Sequence, residues 1–126
     1  MWPEAGLARA RARAISTEMA TSFANMRMSM SCHLFGRVPR YTPNAATQRD
    51  IDRVFEIWRE ELHHSGGPFL FRRFSVADAM FFPVRTRLRT YGVAIPNDPR
   101  RVGAAGANAC VGAARFYSPH SLGYGR

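Results

Sequence analysis

Apolar residues recur along the chain at helical spacing in three stretches, with breaks between them. Ala8, Ala12, Ile15, Met19, Phe23 and Met26 follow one another in steps of three and four, which predicts a first helix over residues 3 to 28 with one face against a core. Pro3 suits the first helical position, and Glu4 complements the positive end of the helix dipole. From Met28 to Ala46 the pattern breaks around Gly36, Pro39 and Pro43, which predicts a long connecting loop. A second helix opens at the capping-box form Thr47-x-x-Asp50, carries Ile51, Val54, Phe55, Trp58 and Leu62 on one stripe, and stops at Ser65-Gly66-Gly67-Pro68. Phe69-Leu70-Phe71 reads as a short buried link. A second capping box, Ser75-x-x-Asp78, then opens a third helix whose stripe is Val76, Met80, Val84, Leu88 and Tyr91. Pro83 inside it removes an amide and crowds the Ala79 carbonyl, so a kink is expected before Gly92 and Pro96 end the helix.

Residues 1 to 96 therefore read as one helical domain. Residues 97 to 126 have no sustained periodicity and several glycines, so they read as a low-complexity tail, either poorly ordered or out of frame. A length of 126 residues allows one small domain with a core, and an apolar share of 46% is enough to fold it.

Composition narrows the chemistry. The net charge is +9, and all eighteen basic residues are arginine. The absence of lysine excludes a phosphate-loop lysine, a Schiff-base lysine and a lysine general base. Cys32 and Cys110 stand far apart, which indicates neither a disulfide framework nor a zinc site and suits a reducing cytoplasm. Cys32 beside His33 lacks, on adjacency alone, the geometry of a reactive thiolate pair. His63 and His64 fall in the last turn of the second helix, where imidazolium complements the dipole, and no further ligand at helical spacing makes them a metal site. No stretch has the length or apolarity of a signal peptide or a membrane span. No hydrolase elbow, metalloprotease helix or Gly-rich phosphate loop occurs.

From Asp50 to Tyr91 the sequence resembles the C-terminal domain of bacterial glutathione S-transferases. The residues that carry the likeness are Trp58, the run Gly66-Gly67-Pro68-Phe69-Leu70-Phe71, Phe74, and Ser75 to Ala79. Residues 2 to 28 also look like that family's first C-domain helix. The sequence departs from the pattern at Arg72 and Arg73, where the family usually has a glycine, and after residue 96.

The resemblance implies an all-α fold, an incomplete helical bundle of this C-terminal type. It also implies a cytoplasmic, homodimeric transferase with glutathione as co-substrate, whose thioredoxin-like N-terminal domain supplies the glutathione site and the thiolate-stabilising group. The helical domain would contribute dimer contacts and the wall of the electrophile pocket, placed by the resemblance on the first helix at Met19, Phe23, Met26 and Arg27. Ser75 and Asp78 would be structural caps. No catalytic residue, bound cofactor or metal is expected in this chain, which by itself would be inactive and reads as a fragment. A non-catalytic helical interaction module is the alternative. Nucleic-acid binding, suggested by the charge, is disfavoured because the arginines are scattered along the sequence without a stacking motif.

Overall fold

The computed structural model describes residues 1–66 and 69–94. Four α-helices make up the fold: α1 Gly6–Thr21, α2 Ala24–Ser29, α3 Ala45–Ser65 and α4 Val76–Thr90. Among the described residues the extended structure is limited to one isolated bridge between Phe71 and Arg73. Helix α1 packs on α4, and α2 packs on α3. The core between them holds Ala12, Ile15, Met19, Met26, Met30, Ile51, Val54, Ile57, Leu62, Phe81, Val84 and Leu88. Trp58 meets Phe81 edge to face at 6.0 Å, which joins the centre of α3 to the centre of α4.

The single first helix expected over residues 3 to 28 is two helices. The chain turns at Phe23, which adopts a left-handed conformation with φ 62°. Such a conformation costs a non-glycine residue about 1–2 kcal/mol, whereas burying a phenylalanine contributes about 1.5–3 kcal/mol. Burial prevails, and Phe23 stays 5% exposed. The turn brings Met26 and Met30 into the core as well. Pro3 and Glu4 lie ahead of the helix, where their carbonyls accept from Arg9 at 2.9 and 2.8 Å.

The expected capping box at Thr47 is also replaced. Helix α3 begins at Ala45, and the Asn44 side chain accepts from the Thr47 amide at 2.8 Å. Thr47 is buried, and its hydroxyl donates to Ser29 Oγ at 3.1 Å. Asp50 reaches across to α2, accepting from the Met26 amide at 3.0 Å. One free amide at the start of α2 is thus capped by a carboxylate from a different helix, a job that local spacing does not reveal. At the other end of α3, Gly66 takes φ 60° and its amide donates to the Leu62 carbonyl, an arrangement that needs no Cβ to be accommodated. Gly67 and Pro68 lie outside the described residues.

Helix α4 has the predicted start and contains Pro83. Its deepest row is Ala77, Phe81, Val84 and Leu88, while Val76, Met80 and Tyr91 are only half-buried. The core-facing side is therefore rotated by about one residue in its first half. Arg72, which stands near the position where the sequence resemblance expects glycine, is left-handed with φ 68°. The turn survives the arginine, in a conformation that glycine would adopt without a Cβ clash.

Candidate functional site

The α3–α4 connection converges on Asp78. Its Oδ1 accepts from the Leu70 amide at 3.1 Å, and its Oδ2 accepts from the Ser75 amide at 2.9 Å and the Ser75 hydroxyl at 3.0 Å. The Ser75 side chain in turn faces the Asp78 amide, completing the capping box. Both residues are buried. Burial pushes the Asp78 carboxyl above its ordinary pKa, and the hydrogen bonds from Leu70 and Ser75 oppose that rise. The arrangement fastens the link to the first turn of the buried helix. It has no free face for proton transfer to a substrate.

Two ion pairs tie α1 to α3. Arg53 Nε meets Glu18 Oε1 at 2.8 Å and its Nη1 meets Glu56 Oε2 at 2.8 Å, while Arg11 Nη2 meets Glu61 Oε1 at 2.9 Å. The paired carboxylates hold Arg53 firmly in its charged form. Glu61 is 4% exposed, so Arg11 compensates a carboxylate that is almost fully out of water.

The structure buries three of the four residues expected on the electrophile wall. Met19, Phe23 and Met26 are buried by this chain's own helices, at 6%, 5% and 1% exposure. Arg27 is half-buried and donates to the Ala20 carbonyl at 3.0 Å and to the Met19 carbonyl, satisfying free carbonyls at the end of α1. The four cluster around the α1–α2 turn; of them only Arg27 is not buried, and its neighbour Met28 is exposed. A helical stripe of this kind is also the signature of core.

Sequence reading missed how the loop after α2 is held. The Val38 amide donates to the Thr90 carbonyl at 2.7 Å, and the Thr90 hydroxyl to the His33 carbonyl at 2.8 Å. Arg87 Nε donates to the Met30 carbonyl at 2.9 Å, and Arg89 reaches the Leu34 carbonyl. The Ser31 amide donates to the Tyr91 hydroxyl at 2.9 Å, and the Tyr91 ring meets Tyr41 at 4.7 Å. The alternation Arg87-x-Arg89-Thr90-Tyr91 is the one local sign of this role, since it concentrates donors at a helix end. Cys32 is exposed, with its sulfur 4.0 Å from the Pro83 carbonyl oxygen. His63 and His64 stack edge to face at 5.7 Å, and among the described residues no group of three or more His, Cys, Asp and Glu could hold a metal ion. Among them, too, no helix is long and apolar enough to cross a membrane.

The sequence model of the family described as "Glutathione S-transferase, C-terminal domain" matches residues 39–109. That span takes in α3, the capped connection and α4. The chain belongs to this glutathione S-transferase C-terminal-domain family. No curated protein matches the chain. The transferase-type helical domain is all-α, with the Ser75 and Asp78 box at the head of its buried helix. The family match begins after α2 and does not take in residues 2–28. It also runs past residue 96, where the sequence pattern changes; the residues beyond Ala94 lie outside the described ones.

Proposed function

We propose that the chain serves as the helical half of a glutathione S-transferase-like protein of the cytoplasm, walling the electrophile side and contributing contacts to a homodimer. The observation that carries this reading is the family match over α3 and α4, with α4 anchored by its capping box. Glutathione enters as co-substrate, bound by a thioredoxin-like domain that also stabilises its thiolate; these 126 residues encode no such site and conjugate nothing by themselves. The electrophile wall is the outer surface of the α1–α2 turn. Met19, Phe23 and Met26 support it from beneath, and the half-exposed Arg27 guanidinium stands at its edge, able to meet a carboxylate or a developing negative charge.

The test joins a thioredoxin-like domain upstream and compares Phe23→Ala with Arg27→Gln. Phe23→Ala should lower melting temperature strongly, with relative rates among electrophiles unchanged. Arg27→Gln should shift preference away from electrophiles that carry a carboxylate. Unchanged preference in Arg27→Gln would remove the wall from this turn.

A second reading, a non-catalytic helical interaction module, is favoured by the burial of those three apolar side chains. Full solubility and folding of the joined protein without any thiol conjugation would support it instead.

A further inference from the structure

The loop after α2 meets the end of α4 through its backbone. The Ser31 amide donates to the Tyr91 hydroxyl at 2.9 Å, the Val38 amide donates to the Thr90 carbonyl at 2.7 Å, and the His33 carbonyl accepts from the Thr90 hydroxyl at 2.8 Å. Arg89 reaches the Leu34 carbonyl, and Arg87 Nε reaches the Met30 carbonyl at the root of the loop. The side chains in these bonds belong to the last turn of α4 and to Tyr91 just beyond it. The Cys32 sulfur, 4.0 Å from the Pro83 carbonyl oxygen, adds only a weak contact.

Residues 31–40 bury little of themselves. All but Gly36 are exposed, and Leu34, Phe35 and Val38 stay 38%, 61% and 36% exposed, so no large apolar side chain anchors the segment. Its ends are different. Met30 is fully buried, while Tyr41 packs against the core and meets the Tyr91 ring at 4.7 Å. The segment between them is a strap with fixed ends. Hydrogen bonds that replace bonds to water hold such a segment modestly, whereas ordering its backbone has an entropy cost at every residue. Few buried apolar contacts and exposed backbone bonds mark a segment that opens well below the free energy of global unfolding. Arg40, at the hinge beside Tyr41, has a left-handed φ of 58°, which disfavours the closed form. Inside the strap, Gly36 closes a tight turn in which a Cβ would stand 3.0 Å from His33 Cβ, and this turn links the His33 and Val38 bonds. Thr90 is 1% exposed, and the strap occupies both its carbonyl and its hydroxyl.

We propose that residues 31–40 form a strap that opens and closes as one unit over the last turn of α4, with Thr90 as its latch and the helical core staying folded. Opening uncovers Thr90 and returns its carbonyl and hydroxyl to water.

Amide hydrogen exchange of the full chain, followed residue by residue by NMR at several low urea concentrations, tests this. The Ser31 and Val38 amides should share one protection factor, roughly tenfold or more below those of Ile57 and Phe81 in the core helices and nearly independent of urea. Thr90→Val keeps the side-chain shape and removes the hydroxyl, so both amides should lose about fivefold in protection, although neither is bonded to that hydroxyl. Tyr91→Phe keeps the ring on Tyr41 and should lower protection at Val38 as well as at Ser31. Circular dichroism should show unchanged helix in both variants. Protection at Ser31 and Val38 equal to that of Ile57 and Phe81, with the same urea dependence, would overturn the proposal, because the strap would then open only with the whole fold. So would a loss confined to one of the two amides in either variant, because the bonds would then open singly.

Discussion

Replacing Asp78 with alanine removes the acceptor on which the α3–α4 connection converges. The Leu70 and Ser75 amides and the Ser75 hydroxyl all lose their partner in a buried place. Leaving a buried donor unsatisfied costs about 1–3 kcal/mol. Against this, the variant removes a carboxylate that burial disfavours, so the net loss should be about 2–4 kcal/mol. In a domain of this size that is a fall of roughly 10 °C or more in melting temperature. The pH dependence has a definite sign. The folded carboxyl pKa is raised, so the folded state keeps its proton at a pH where the unfolded state has released it, and stability declines as pH rises from the unfolded value through the folded one. Below that window the penalty is absent, and above it the penalty is complete. Urea unfolding of the chain and of Asp78→Ala across the acid range should therefore show the difference between them largest at the acid end and smaller at neutral pH. Ser75→Ala should cost about 1 kcal/mol, and the double variant should cost less than the sum, because the two residues share a bond. A loss under about 0.5 kcal/mol for Asp78→Ala, or strict additivity with Ser75→Ala, would refute the assignment of the box as the anchor of α4.

Two further substitutions should stabilise the protein. Ser16 is buried on α1 and its hydroxyl has no hydrogen-bond partner among the described residues, so Ser16→Ala should raise stability by about 1 kcal/mol in urea unfolding. Arg72→Gly relieves a left-handed residue on the exposed turn before α4 and should gain up to about 1 kcal/mol, measured by thermal unfolding; a loss would mean that the arginine side chain contributes more than its backbone strain costs.

The parts of the fold that were legible in the sequence are those set by local chemistry. The α4 start at Ser75 and Asp78, the α3 stripe around Trp58 and the stop at Gly66 each depend on residues within one or two turns of each other. The parts that were not legible depend on partners distant in sequence. Asp50 looked like the acid of its own capping box but serves α2, twenty-four residues earlier. The break at Phe23 is invisible to periodicity because the residue keeps its place in the apolar stripe while its backbone turns left-handed. For the candidate wall the sequence signal was ambiguous in kind: a stripe of methionine and phenylalanine reads the same whether it faces a ligand or another helix, and here the chain's own helices bury it. The fastening of the loop after α2 was hidden for the same reason, since its tethers to α4 span more than fifty residues.

The central claim is that this chain is the helical, electrophile-side half of a glutathione S-transferase-like protein and that thiolate activation resides in a thioredoxin-like domain. Its most direct test is a conjugation assay on the purified 126-residue chain, with glutathione and a reactive aryl halide, run beside the same chain joined to a thioredoxin-like domain. The account predicts that the chain alone matches the uncatalysed blank and that the joined protein exceeds it. Turnover above the blank by the chain alone would contradict it, because a thiolate-stabilising group would then have to lie within these residues.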